Sequence, residues 1–352
     1  MSRQRWRIMW QRVQVPSWML RIRRLFAKIA VLSMPDRTDK RDTLALAASI
    51  TGIDVEWEDG VDGSKVNPKA IPDSWAREQS NGTYGCWRAH MNVLQKMVKE
   101  RTPSMLVMED DVDWDVNIKA LMVEFARGTK WVLGQENVTT HSPYGDGWDV
   151  LWVGHCGARN MENIDQRYYV IRDDPTAIPQ ALWGFPRRQP NFTPHQLNGT
   201  FNRVIYRPVR GLCTGSYAIS LRGAQRFLQD QALEEALVSD RALNKLCTRN
   251  GGSCIVPYPA LIGTHKAAGS MSKDSDREQF NDAVREVGET RHVVFSTKLN
   301  FKQLIPLGKD TIIKSQWPDK TLLKTANRTM AIPRGEGVFV RRDEYSDFPR
   351  PN

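Results

Sequence analysis

The chain of 352 residues contains no uninterrupted apolar run of roughly 18 residues, which argues against a membrane-spanning helix. It has no CxxC pair, so the usual signature of structural zinc is missing, and five cysteines are too few for a disulfide scaffold. No internal repeat or low-complexity tract occurs, which leaves a folded domain rather than an array or a tail. Acidic residues are absent from positions 1–28, where eight of the 50 basic residues are found. Removing those eight leaves 42 basic against 40 acidic residues, so the other 324 carry a net charge of only +2. The formal charge of +10 is therefore a property of one arm, and nucleic acid is not expected as a partner.

That arm mixes its arginines with Trp6, Trp10, Trp18 and several aliphatic residues. Such a mixture suits peripheral contact with an anionic membrane surface, or else a disordered basic leader, or a chain start that has lost an upstream anchor. Arginine interrupts every candidate apolar core of a signal peptide. Cys247 and Cys254 flank a turn-rich loop that either a disulfide or two free thiols would explain. Five sequons, beginning at Asn81, Asn137, Asn191, Asn198 and Asn327, lean toward the ER or Golgi lumen; a bacterial chain would be cytoplasmic.

The remaining pattern alternates strands and helices. A strand over 27–32, a helix over 39–50 stopped by Gly52, and a strand over 55–57 begin a βαβ unit. Polar loops over 62–80 precede a helix over 85–100 with a stripe of Trp87, Met91, Leu94 and Val98. His90 lies on that stripe and reads as a core histidine. The apolar strand 105–108 then runs into Glu109, Asp110 and Asp111, with Asp113 and Asp115 close behind. Clustered carboxylates at a strand's carboxyl end suit a hard divalent cation and a phosphate-bearing ligand. Residues 158–210 show little periodicity and read as substrate-shaping loops. The fold class is α/β, a Rossmann-type mixed sheet flanked by helices in one main domain. The segments are 1–25, basic and rich in Trp; 26–275, the main domain; and 276–352, an extension, partly irregular.

The run Asn81-Gly82-Thr83-Tyr84-Gly85-Cys86-Trp87-Arg88-Ala89-His90, followed by Leu106-Val107-Met108-Glu109-Asp110-Asp111, resembles glycosyltransferase family 25. Ala30-Val31-Leu32 with Arg37 and Arg41, Thr214 through Ser220, Asp240, and Ile262-Gly263-Thr264-His265-Lys266 extend the resemblance in order. Ala89 stands where the family commonly has Ser, and the tail from about 277 matches no family motif.

The resemblance implies a GT-A-like fold that uses Mn²⁺ or Mg²⁺ to move a sugar, galactose from UDP-galactose, to a hydroxyl of a glycan or protein, with inversion. It implies Asp111, Glu109 and His265 around the metal, and Arg37, Arg41, Gly82, Glu109 and Asp110 around the donor. Asp240 is the implied base. A metal-dependent phosphohydrolase or nucleotidyltransferase would use the same carboxylates, and a silent sugar-binding protein would keep the same fold without the chemistry.

Overall fold

The computed structural model describes residues 25–342, apart from 73–74, 76–78, 163, 194–196, 234–236, 249–250, 278–282 and 307–310. The basic arm, up to residue 24, lies outside the described residues. No helix among the described residues is long and apolar enough to cross a membrane.

The first half contains β1 (Lys28–Ser33), α1 (Thr38–Thr51), β2 (Glu56–Asp59), α2 (Asn81–Glu100), β3 (Ser104–Glu109), β4 (Val112–Trp114) and α3 (Ile118–Val132). The middle adds β5 (Val150–Gly154), β6 (Gly157–Asn160), β7 (Gln166–Ile171), β8 (Arg203–Tyr206), β9 (Pro208–Leu212) and β10 (Ser216–Ser220). Then come α4 (Leu221–Leu233), α5 (Ser239–Thr248), β11 (Cys254–Tyr258), β12 (Ile262–Lys266), β13 (Gly269–Ser270), β14 (Val284–Arg285) and β15 (Glu289–Thr290). The last elements are α6 (Phe301–Leu304), β16 (Ile312–Lys314), β17 (Thr325–Asn327) and β18 (Glu336–Val340).

Nine strands form one mixed sheet in the order β18-β7-β8-β11-β5-β10-β3-β1-β2. Strands β2, β1, β3, β5 and β11 run one way, and β10 opposes both β3 and β5. The expected α/β class and mixed sheet are what the chain adopts. Alternation along each strand sends side chains to opposite faces. Met105 and Val107 of β3 pack with Trp87, Met91 and Leu94 of α2; Leu106 and Met108 enter the other core with Leu44 of α1 and Phe125 of α3. Each fully buried side chain of this size contributes about 1.5–3 kcal/mol of transfer free energy.

Local chemistry sets the ends of the elements. Gly52, at φ +62°, closes α1, and Ile53 N–H donates back to Ala48 O at 2.9 Å. Helix α2 starts at Asn81, four residues before the expected Gly85, because the Ser80 hydroxyl accepts from Thr83 N–H at 3.2 Å and caps it. Gly82 and Gly85 therefore sit in its first turns.

The stretch 158–210, expected as loops, contains β6, β7, β8 and β9. Its periodicity is hidden because β8 is buried on both faces and includes a charge. The Arg203 guanidinium is buried with Asp174, Nε to Oδ2 at 2.7 Å, and also donates to Thr176 O at 2.9 Å.

Beyond residue 275 the chain keeps packing on the same sheet. Val294 and Phe295 enter the core, and β18 pairs with β7 at the edge. Cys247 and Cys254 are joined, as are Cys156 and Cys213; the second pairing links the chain just beyond β5 and β9.

Candidate active site

Strand parity determines where the acid cluster points. Glu109 shares the parity of Val107, so its carboxylate turns toward α2; Asp110 shares that of Met108 and turns toward α1. Glu109 Oε1 accepts from Thr214 Oγ1 at 2.6 Å and lies 3.4 Å from His90 Nε2. Asp110 Oδ1 lies 3.3 Å from Lys40 Nζ of α1. The antiparallel entry to β10 brings Thr214 alongside, where Glu109 N–H donates to Gly215 O at 2.9 Å.

These groups line a cavity of about 460 Å³ together with Asp111, Gly82, Cys86, Asp240, Thr264, Asp276 and Arg277. The backbone turns after Glu109 into β4, which places Asp111 against β12; His265 N–H donates to Asp111 O at 2.6 Å. Asp111 Oδ1 is buried and has no hydrogen-bond partner among the described residues. Burial, followed by the charges of Glu109 and Asp110, pushes its carboxyl up to about 7, against the pull of Lys40 and Lys298. An orphaned carboxylate oxygen beside two further acids fits a hard divalent cation, whose charge would satisfy the oxygen and relieve the repulsion. Glu109 is held below the usual carboxylate range, since its bonds to His90 and Thr214 and the Arg277 charge outweigh burial.

Asp240 lies in the first turn of α5. Its Oδ2 accepts from Cys213 N–H at 3.3 Å and its Oδ1 from Arg241 N–H at 2.8 Å. The Cys156–Cys213 disulfide thus anchors the residue whose backbone holds the carboxylate. A Cβ at Gly82 would stand 2.6 Å from Arg277 Cα, so this glycine admits the 275–277 segment to the cavity wall.

Three predicted residues are absent from the cavity lining. Arg37 is engaged by Asp39 at 2.9 Å, by Lys273 O at 2.8 Å and by Asp276. Arg41 holds Ser33 O and Asp59, both at 2.9 Å, and covers the Trp57 ring. His265 alternates with Thr264 on β12, so Thr264 faces the cavity while His265 Nδ1 contacts Thr290 Oγ1 at 2.9 Å. Burial, with Lys298 nearby, takes the imidazole down to about 4 and keeps it neutral.

Asp113 and Asp115 brace the later chain rather than the cavity. Asp113 accepts from Thr290 Oγ1 at 2.8 Å and from Ser296, and Asp115 from Phe295 N–H at 3.1 Å.

Sequence reasoning missed Lys40, Asp276, Arg277 and Lys298. Lys40 was visible only as one cation among three near the first turn, and nothing local marks it over Arg37 or Arg41. Its ammonium is kept above its ordinary value because Asp110, Asp111 and Asp276 outweigh the opposing effect of burial. Lys298 is buried, and that burial lowers its pKa despite Asp113 and Asp111. Its place is set by a contact across nearly the whole domain.

An α/β sheet with carboxylates gathered at a strand end, beside a cavity that also holds Asp240, suits a domain that binds a phosphate-bearing ligand. Residues 26–141 match the family described as Glycosyltransferase family 25 (LPS biosynthesis protein). A Glycosyltransferase 25 family member of Anopheles gambiae is 21% identical over 227 residues, 61% of this chain and 31% of that protein. One of Aedes aegypti is 19% identical over 224 residues, 60% of this chain and 29% of that protein. The chain therefore spans about a third of the length of these curated relatives. A solved glycosyltransferase involved in the glycosylation of the major capsid of PBCV-1 is 11% identical, with a TM-score of 0.29. That likeness covers 65% of this chain and 81% of the other.

Proposed function

We propose that this domain transfers galactose from UDP-galactose to a hydroxyl of a glycan or protein acceptor, with inversion at the anomeric carbon. The observation that carries the reading is the buried, partnerless Asp111 oxygen in the same cavity as Asp240. In this reading Asp111, supported by Glu109, holds Mn²⁺ or Mg²⁺, which when bound neutralises charge developing on the departing diphosphate. His265 would join that shell only through Nε2, since Nδ1 is engaged by Thr290.

Lys40 and Arg277 supply fixed positive charge for the phosphates, and Asp110 holds Lys40 in place. Arg37 and Arg41 contribute by fixing the loops that shape the donor end. Asp240 removes the acceptor hydroxyl proton as that oxygen attacks; its two backbone donors keep it oriented. A single base on one side of the sugar suits one displacement. The two disulfides support an oxidising compartment such as the ER or Golgi lumen, with residues 1–28 as a peripheral membrane contact.

The test is a screen of nucleotide sugars with Mn²⁺ and a mixed panel of glycan and peptide acceptors, reading UDP release and product. The wild type should form glycoside with UDP-galactose; Asp111→Ala and Asp240→Asn should each lose at least about a hundredfold. Phosphate release without sugar transfer would replace this reading with a phosphohydrolase. Full transfer by Asp240→Asn would remove the base.

A further inference from the structure

We infer that Cys86, His90 and Glu109 form a second cation site, one for a thiophilic divalent ion of the zinc class, in the wall of the same cavity. Cys86 and His90 are four residues apart on α2 and so share one helix face. Glu109 reaches that face by strand parity. One ligand atom from each residue lies within 4.8 Å of the other two. Neighbouring ligand atoms around tetrahedral zinc stand about 3.3–3.8 Å apart, given bonds of about 2.0–2.3 Å, so side-chain adjustments on the order of 1 Å would close the set.

The donor types separate this site from the one at Asp111. Thiolate and imidazole favour zinc, cobalt or cadmium, whereas Mg²⁺ and Ca²⁺ prefer an all-oxygen shell. Cys86 carries the free thiol; the other four of the five cysteines are paired in disulfides. His90 already has the outer support that metal-binding histidines use, its Nδ1 lying 3.0 Å from the Tyr217 hydroxyl. With Nδ1–H donating to the Tyr217 hydroxyl, the neutral imidazole offers its Nε2 lone pair to the cation. On binding, the thiol proton leaves to solvent; occupancy should therefore tighten as pH rises.

Three protein ligands leave a fourth position open toward the cavity. Glu109 is common to both cation positions, so an ion held by Cys86 and His90 withdraws that carboxylate from the first. Zinc would then oppose transfer, a consequence that rests on the proposed function; the site itself does not.

The experiment titrates Co²⁺ into the metal-free chain with its disulfides intact, and then displaces it with Zn²⁺. One equivalent should give the near-ultraviolet thiolate-to-cobalt band and tetrahedral visible bands, removed by Zn²⁺. Cys86→Ser should abolish the thiolate band, and His90→Gln should weaken Co²⁺ at least tenfold, with circular dichroism checking that each variant is folded. Because the wild-type spectrum needs no variant, a folded wild type without a thiolate band overturns the proposal. So does an unchanged band in folded Cys86→Ser. These spectra are independent of donor or acceptor, so failure of the transferase reading would leave them intact.

Discussion

Lys40 donates from Nζ to Asp276 Oδ2 at 2.9 Å, joining two residues 236 positions apart across the mouth of the acid cluster. The same Asp276 carboxylate engages Arg37, and it is held below the ordinary aspartate value because those cations outweigh its burial. A carboxylate thus rests on the charge that the proposed reading assigns to a diphosphate.

Removing either partner should move donor binding in opposite directions. Lys40→Met should weaken UDP binding in the presence of Mn²⁺ by about tenfold, the loss of one charge-assisted contact of about 1.5 kcal/mol. Asp276→Asn should tighten it severalfold by freeing the lysine. Titration calorimetry of both variants decides; a Lys40→Met protein that binds UDP like wild type would remove Lys40 from the phosphate site.

Asp111 should leave a signature in stability against pH. Its folded pKa of about 7 exceeds the ordinary 3.8, so the folded state holds the proton more tightly. That contribution is complete below about pH 4 and is lost as pH rises toward 7. In metal-free protein near pH 8, Asp111→Asn should therefore be the more stable by at least about 1 kcal/mol. Mn²⁺ should raise the melting temperature of wild type and leave the variant unmoved. Asp115, also pushed up to about 7 by burial, adds a slope of the same sign that the variant retains.

His155 contributes the opposite slope. Burial takes it down to about 4 against an ordinary 6.5, and its Nε2 contacts Pro257 O at 2.8 Å. The fold keeps it neutral, so stability is complete above about pH 6.5 and falls as pH drops from there toward 4. His155→Phe retains the stacking on Tyr258 but loses the bond to Pro257. It should be less stable than wild type by about 1 kcal/mol at pH 8, with the gap narrowing at pH 5. Urea unfolding at the two pH values tests this; a gap that widens on acidification would be contrary to it.

The Arg203–Asp174 pair is buried on both sides, its side chains 2% and 0% exposed. Arg203→Met should cost about 3–5 kcal/mol, because it strands a charged carboxylate inside the sheet. A loss under about 1 kcal/mol in thermal or chemical unfolding would show that Asp174 finds another partner.

Local pattern made much of the scaffold legible. Strands β1, β3 and β5 and helix α1 carry apolar periods that burial on the sheet demands, and Gly52 stops α1 for a backbone reason readable in the residue itself. The acid run after Met108 was equally plain as a pattern, although a solvated acidic turn would show the same residues, and only burial in the cavity wall separates the two. Helix α2 began earlier than its apolar stripe suggested. Its first turn is glycine-rich for the sake of Arg277 and the 61–63 loop, which only the folded chain brings there. Strands β7 and β8 were hidden because burial on both faces erases most of the alternation, and the fully buried charge, Arg203, finds its partner Asp174 in the connection between them.

By itself the sequence determined the α/β alternation, the position of the acidic strand end and the family motifs around it, since each depends on side chains a few residues apart. Tertiary structure alone decided which carboxylate faces which helix, that Lys40 rather than Arg37 or Arg41 lines the cavity, and that Lys298 lies buried beside Asp111. Those outcomes depend on strand parity combined with the packing of elements up to some 240 residues apart, and short-range pattern does not encode such distances.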